Sequence, residues 1–260
     1  MALRALSALA PDALAEHAYA LAKPLADDVA VVRSAALAVM GRLESAALRQ
    51  HAPAVLVRLN DKEPFVRRAA LQALRGLDPP SLAKHAATIQ ATLRDDTSQV
   101  RLEALGTFYR LEPTALTAHA PAVAARLDDA DPNVSFAAAL TLRRVGAAAL
   151  ATHAATLIAK LNHPDEGIRW AVLSALLRLE PSSLGAHAAT IERALDDEDV
   201  HVRMAAGAVI GKLRPSRAPA SVPAVQREVG KAIPAEPERN ESPVSTMVAV
   251  RESGEVGRTR

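Results

Sequence analysis

Apolar residues recur with a period of 34 positions over most of this 260-residue chain. One copy of the pattern runs from Leu48 to Ser81. The leucines that open the six copies are Leu14, Leu48, Leu82, Leu116, Leu150 and Leu184. A histidine follows three positions after each of them, at His17, His51, His85, His119, His153 and His187. A fixed period without insertions is typical of stacked helical repeats, so we number the copies repeats 1 to 6.

Each repeat predicts two helices, A and B, separated by a short polar turn. Apolar positions spaced three or four apart form one face of each helix. In repeat 2 these faces are Leu48, Ala52, Val55 and Leu59 for helix A, and Val66, Ala70, Leu74 and Leu77 for helix B. Pro53 follows the histidine by two positions, so helix A either begins near the histidine or is kinked there. Pro64 is placed in the first turn of helix B, where proline is tolerated.

The pattern predicts an all-α fold, a right-handed α-α superhelix or solenoid of six 34-residue helix pairs within residues 1–214. An N-terminal half repeat precedes the pairs, because Leu3, Leu6 and Leu9 share the spacing of the end of a helix B. Its apolar edge is uncapped, so we expect either a longer array or self-association or partner binding there. Residues 215–260 are rich in proline and charge and predict a disordered tail.

Composition narrows the functional classes. A formal charge of +2 is too small to indicate nucleic acid or an anionic membrane as the partner. The absence of cysteine excludes disulfides, thiolate metal sites and cysteine nucleophiles. No apolar run is long enough to span a membrane, and we expect a cytoplasmic protein.

An aspartate followed by a Val-Arg pair recurs around the start of helix B. The instances are Asp27 with Val32-Arg33, Asp61 with Val66-Arg67, Asp95 with Val100-Arg101, and Asp197 with Val202-Arg203. This motif, followed by spaced alanines and leucines, resembles the HEAT repeat from Met1 to about Leu213. The tetratricopeptide repeat is the alternative, since its usual period is 34 and the prolines after helix B fit it. However, its Trp, Leu-Gly and Tyr positions do not recur in helix A.

The HEAT resemblance implies a ladder of hydrogen bonds between the aspartates and arginines of neighbouring repeats. The ladder residues would be Asp27, Asp61, Asp95, Asp129 and Asp197 with Arg33, Arg67, Arg101, Arg169 and Arg203. Two copies depart from the motif, because Ser135 replaces an arginine and His163 replaces an aspartate. The ladder is therefore expected to be weakest around repeats 4 and 5.

The aligned histidines do not predict a metal site. Equivalent positions in stacked repeats lie about 10 Å apart, whereas ligand nitrogens lie about 2 Å from a zinc ion. We interpret the imidazoles as capping helix A or bonding the preceding turn. HEAT-like deoxyhypusine hydroxylases bind metal through His-Glu pairs, and no His-Glu dipeptide occurs here. Nothing resembles a nucleophile elbow or a phosphate-binding glycine loop, so the prediction is no enzyme, no metal and no cofactor.

The outer face of helix B carries large apolar residues in repeats 3 to 6. HEAT arrays place helix B on their concave surface, so the resemblance implies a binding groove there. The predicted groove residues, which we name the apolar stripe, are Leu102, Tyr109, Phe136, Trp170, Leu177 and Met204. The alternative is that these side chains pack sideways against the adjoining helix B.

A basic column runs beside the stripe. It contains Arg42, Arg110, Arg144, Arg178 and Lys212, and is interrupted by Gly76. Cations near the end of a helix also interact favourably with its dipole, which is the structural interpretation. If the column is exposed, Arg110, Arg144 and Arg178 form the rim of the groove.

These features predict a non-enzymatic scaffold or adaptor that binds a protein or peptide of acidic, amphipathic character. A first alternative is an accessory or lyase-type factor that resembles the bilin lyases with HEAT-like repeats. A second is nucleic-acid binding through the basic column, which the near-neutral charge makes the weaker prediction.

Overall fold

The computed structural model describes residues 10–214, all of whose regular elements are helical. The fold class is therefore all-α, as the 34-residue periodicity predicts. The described chain divides into two compact units, one up to Glu112 and one from Pro113. The first contains repeats 1 to 3 and the second contains repeats 4 to 6. The N-terminal half repeat and the predicted disordered tail lie outside the described residues.

Helix B is a continuous α-helix in every described repeat. From repeat 1 to repeat 6 its bounds are Ala30–Met40, Pro64–Leu74, Ser98–Tyr109, Pro132–Leu142, Glu166–Leu176 and Val200–Leu213. Pro64 and Pro132 occupy the first helical turn, as predicted. In the second unit the preceding residue is an aspartate whose carboxylate accepts backbone amide hydrogen bonds, which satisfies donors that the helix leaves free.

Helix A is continuous only in repeat 2 of the described chain, where it spans Ser45–Val57 and ends in a 3₁₀ turn, Arg58–Asn60. The other repeats break it into short pieces, which we name together the A segment. In repeats 1 and 3 the pieces are Pro11–Glu16, Ala18–Leu21, Ala22–Leu25 and Pro79–Ala83, Ala86–Ile89, Gln90–Arg94. In repeats 4 and 5 they are Pro113–Thr117, Ala120–Ala124, Ala125–Asp128 and Ala147–Ala151, Ala154–Ala159, Lys160–Asn162. In repeat 6 they are Pro181–Leu184, Gly185–His187, Ala188–Arg193 and Ala194–Asp196.

The break falls at the aligned histidine. The backbone amide of His85 bonds to the carbonyl of Leu82 in a tight turn, and its own carbonyl accepts from the amide of Ile89. His85 thus precedes the second helical piece, as His119 and His153 do in later repeats. Their imidazoles make no capping hydrogen bond, so the predicted capping role of the side chain is wrong. The backbone at the histidine, and not its ring, begins the new helix.

The core of each repeat lies between the A segment and helix B. In repeat 3, Leu82, Ala86 and Ile89 of the A segment face Thr107, Phe108 and Leu111 at the end of helix B. Successive B helices also pack against each other within each unit. Repeats 1 and 2 approach closely at Gly41, where a Cβ atom would lie only 3.2 Å from the Cα atom of Ala73. Small residues thus let neighbouring helices come together.

Asp78 links the A segments of repeats 2 and 3. Its carboxylate accepts a hydrogen bond from the Ser81 amide at 2.9 Å, and its own amide donates to Ser45 Oγ at 2.8 Å. Ser45 in turn donates its hydroxyl to the Asp78 carboxylate. The hydrogen bonds from Ser45 and then Ser81 lower the pKa of Asp78 to about 2.

This pKa predicts a loss of stability in acid. The lowered value means that the Asp78 carboxylate stabilises the fold above its ordinary pKa of about 4, and that this contribution disappears as the pH falls to about 2. We expect Asp78→Asn to be less stable than the wild type near neutral pH, and the difference to shrink over that window. Urea unfolding at a series of pH values measures this, with Asp96→Asn as the control at an exposed aspartate. A difference that does not change with pH would contradict it.

Candidate functional site

The ladder arginines join neighbouring repeats. Arg33 Nε and Nη2 donate to the two carboxylate oxygens of Asp61 in repeat 2, each at 2.7 Å. Its Nη1 donates to the backbone carbonyl of Asp27 in its own repeat, at 2.8 Å. Arg33 therefore uses one edge of the guanidinium for its own turn and the other for the next repeat. This two-point geometry is the arrangement in which guanidinium–carboxylate pairs are strongest.

The same contacts recur in both units. Arg67 bonds the Asp95 carboxylate at 2.6 and 2.7 Å, and Arg169 bonds the Asp197 carboxylate at 2.8 Å through both nitrogens. Arg101 and Arg203 each donate Nη1 to the backbone carbonyl of the ladder aspartate in their own repeat, at 2.7 Å. In each of these pairs, the arginine binds the carboxylate of the aspartate that lies 28 residues further along the chain.

Each ladder carboxylate also organises the turn before helix B. It accepts a hydrogen bond from the backbone amide two residues further on, at Val29, Glu63, Thr97, Asp131 and Asp199, with distances of 2.8 to 3.1 Å. Burial raises the pKa of Asp61, but the hydrogen bonds from Arg33 and the Glu63 amide outweigh this and hold it below its ordinary value. The pKa of Asp197 is lowered in the same way, by Arg169.

Ser135 and His163 preserve the turn contacts of the residues that they replace. Ser135 Oγ donates to the carbonyl of Asp129 at 3.1 Å, as an arginine Nη1 does elsewhere. His163 Nδ1 accepts from the Asp165 amide at 3.0 Å, as a carboxylate does elsewhere. A neutral serine cannot form the two-point ion pair, so this rung between repeats 4 and 5 has no charge-assisted bond of the ladder type.

Breaking one rung predicts a defined loss of stability. In Asp197→Asn the side-chain oxygen still accepts from Asp199, but the Arg169 guanidinium, whose side chain is 7% exposed, loses its closest charged partner and keeps only the contact to the exposed Glu198 carboxylate at 3.4 Å. We expect the free energy of unfolding to fall by about 3 kcal/mol, because the buried guanidinium loses its two-point partner and the exposed Glu198 carboxylate compensates its charge only weakly. Urea denaturation measures this against Asp196→Asn, which changes a neighbouring exposed carboxylate. Equal stabilities of the two variants would show that the rung contributes nothing.

A second buried ion pair lies on helix B of repeats 2 and 3, and sequence reasoning missed it. Arg75 Nη1 donates to Glu103 Oε2 at 2.7 Å, and Gln72 Nε2 donates to Glu103 Oε1 at 2.8 Å. Both charged side chains are buried, and burial lowers the pKa of Arg75. The sequence does contain a signal for this pair, because Glu103 is the one charged residue in a column that otherwise holds alanine. The equivalent residues are Ala35, Ala69, Ala137, Ala171 and Ala205.

The contribution of this ion pair to stability can be measured by removing first one charge and then both. Glu103→Ala leaves the Arg75 guanidinium buried without its carboxylate, and we expect it to cost about 3–5 kcal/mol. Adding Arg75→Leu should restore stability to within about 1 kcal/mol, since replacing both charges removes the penalty. The double variant copies Leu177 and Ala205, which occupy the same positions in repeats 5 and 6. A double variant no more stable than Glu103→Ala would contradict this account.

The apolar stripe is more buried than its predicted outward orientation implies. Phe136 is only 5% exposed, so the prediction that it projects into solvent is wrong. Trp170, Leu177 and Met204 are half-buried on the packed B helices of repeats 5 and 6. Leu102 and Tyr109 are half-buried on helix B of repeat 3, in the other unit. The second unit therefore brings together three of the predicted residues with accessible surface.

The basic column has more than one role. Lys212 Nζ donates to the carbonyls of Leu179 and Leu177 at 2.7 and 3.2 Å, beyond the end of helix B of repeat 5. This contact fits the interpretation of the column as cations at helix ends. Arg178 is exposed, whereas Arg42, Arg110 and Arg144 are half-buried. Gly76 interrupts the column because a Cβ atom there would lie 2.9 Å from Leu48 Cδ2.

Within residues 10–214, no group of three or more His, Asp or Glu side chains is placed to hold a metal ion. None of the helices in that range combines the length and apolarity that crossing a bilayer requires.

The geometry places the chain among the helical-repeat solenoids, in which stacked helix pairs are joined by contacts between adjacent repeats. Within that class, the HEAT-repeat family model matches residues 52–78, in agreement with the resemblance of the Asp and Val-Arg motif. No curated protein matches the sequence.

Solved structures of similar fold include engineered proteins and a designed armadillo repeat protein. One engineered protein superposes with a TM-score of 0.63 at 14% identity, covering 76% of this chain and 96% of its own. A second has a TM-score of 0.60 at 18% identity, covering 76% and 98%. A designed armadillo repeat protein in complex with the peptide (KR)4 has a TM-score of 0.61 at 14% identity, covering 75% and 98%. At these identities the similarity shows the fold alone.

Proposed function

We propose that this chain is a non-enzymatic scaffold or adaptor that binds a protein or peptide on the outer face of helix B in repeats 5 and 6. Helical-repeat solenoids typically act by presenting an extended surface to other proteins. A designed armadillo neighbour carries a peptide, which supports peptide binding as a use of this fold. The observation that carries the proposal is the cluster of Trp170, Leu177 and Met204.

The three side chains lie on adjacent, packed helices. Trp170 and Leu177 are seven residues apart, so they project from the same side of helix B two turns apart. Met204 is the equivalent of Trp170 one repeat later, on the helix that packs beside it. All three keep part of their surface accessible, so a partner that covers them removes apolar area from water. Tryptophan is the residue type most enriched among binding hot spots, and methionine adapts to varied partners.

The arginines beside these apolar residues indicate that the partner is acidic. Arg178 follows Leu177 directly and is exposed, and Arg144 is its half-buried equivalent in repeat 4. A carboxylate beside the apolar anchors of a bound peptide would pair with the exposed Arg178 guanidinium. An amphipathic helix or extended segment with acidic flanks therefore fits the surface better than a basic one.

The test uses peptides selected from a display library on the immobilised full chain. We expect the selected peptides to carry apolar anchors next to acidic residues. Trp170→Ser and Leu177→Ser should each weaken binding at least about tenfold, which is the effect of losing a moderate hot-spot contact. Fluorescence anisotropy of a labelled peptide measures the affinity, and circular dichroism checks that each variant remains folded.

Phe65→Ser is the matched control, because Phe65 is an exposed aromatic residue on helix B of repeat 2, which belongs to the other unit. Arg178→Glu should weaken acidic peptides and leave neutral ones nearly unchanged. If the selected peptides bind the Trp170 and Leu177 variants as tightly as the wild type, the binding surface lies elsewhere and this assignment is wrong.

A further inference from the structure

The last described repeat leaves apolar side chains uncovered that every earlier described repeat buries. Leu195 is 38% exposed, whereas its equivalents Leu59 and Leu161 are 3% and 7% exposed. Ile210 and Leu213 are half-buried, although their equivalents Leu176 and Leu179 in repeat 5 are buried. The A segment and helix B of repeat 6 thus share an apolar face, which we name the terminal face. In a stacked array the following repeat would cover it.

The sequence after Arg214 continues the 34-residue register of the A segment. Pro215 aligns with Pro79, Pro113 and Pro181, each of which is the first residue of an A segment. The tripeptide Pro-Ala-Val occurs at 53–55, 121–123 and 223–225, separated by two and three whole periods. Val222, Val225 and Val229 align with Ala52, Val55 and Leu59, which are buried in repeat 2.

The register ends after this segment. Lys231 occupies the position of the ladder aspartate. Glu236, Asn240 and Pro243 replace the apolar positions that Val202, Ala206 and Val209 fill in helix B of repeat 6. The sequence therefore provides the apolar positions of one more A segment but lacks the first two core positions of another helix B, although Val244 and Met247 are apolar at the last two. An array that ends in half a repeat with a polar outer side is the usual form of a solenoid cap.

We propose that residues 215–229 form a seventh A segment that docks on the terminal face and caps the array. Val222, Val225 and Val229 supply the apolar side, which covers Leu195, Ile210 and Leu213. Arg227 falls in the column of Val57 and Arg193, both exposed, so it projects into solvent. This cap is independent of the binding surface proposed above. It narrows the predicted disordered tail to the residues that follow.

A single introduced thiol tests the cap in the full chain. The chain contains no cysteine, so Leu195→Cys creates a unique thiol on the terminal face. With the cap in place, this thiol should react slowly with DTNB. Adding Val225→Asp and Val229→Asp should release the cap and accelerate the reaction at least about tenfold, because the thiol then reacts without a prior opening step. Arg227→Asp changes the net charge by the same amount on the opposite side, and should leave the rate unchanged.

Two further measurements distinguish the occupants of the terminal face. Ala189→Cys places a thiol at an exposed site of the same A segment, and its rate should not respond to the valine substitutions. Hydrogen exchange should show protected amides in 215–229 of the wild type and lose that protection in the double-aspartate variant. Equal Leu195→Cys rates in all backgrounds would overturn the proposal. Protection of the thiol that rises with protein concentration would show that a second copy covers the face, and would also overturn it.

Discussion

The ladder carboxylates carry the charged interaction that joins repeat 1 to 2, repeat 2 to 3 and repeat 5 to 6, whereas repeats 4 and 5 pack without it. One aspartate side chain accepts the amide that shapes the turn before helix B and the two-point hydrogen bond of the preceding repeat's arginine, as Asp61 does with Glu63 and Arg33. The arginine in turn holds the carbonyls of its own turn, at Asp27 and Asp28. Local turn geometry and the placement of the next repeat are therefore coupled through one group. Since charge-assisted bonds need accurate geometry, this coupling favours one stacking register over others.

Small residues complement the ladder at the other end of helix B. Gly41 lets repeat 1 approach Ala73 of repeat 2, and Gly76 leaves room for Leu48 within repeat 2, at positions where a side chain would collide. In place of the alanine found in the other repeats, Glu103 is tolerated because Arg75 and Gln72 both reach it. Replacing one member of such a buried set is costly, whereas replacing the whole set need not be. Residues that contact each other in such a buried set can therefore differ between repeats only if they change together.

Periodicity predicted the helical class and the B helices, because these follow from local spacing, and the HEAT resemblance implied the residues of the ladder. Neither specified that Arg33 binds the aspartate of the following repeat, Asp61, since that depends on how the repeats stack. The break at His85 was also hidden, because the pieces on both sides keep the apolar spacing of one helix. Phe136 was misjudged for a related reason: an angle measured around one helix cannot report burial by other elements.

The two proposed surfaces follow from one difference between the interior and the ends of a repeat array. Inside the array, apolar residues in the columns of Leu161 and Leu176 are covered by neighbours, and what remains accessible is the outer side of helix B, where Trp170 lies. At the end the same columns lose their neighbour, and Leu195 and Ile210 become accessible for a structural reason. Exposure of Trp170 has no such explanation, because repeat 6 already stacks beside it. A set of accessible apolar residues on adjacent interior helices, such as Trp170, Leu177 and Met204, is therefore the better indicator of partner binding, and accessible apolar residues at the terminal face indicate a cap.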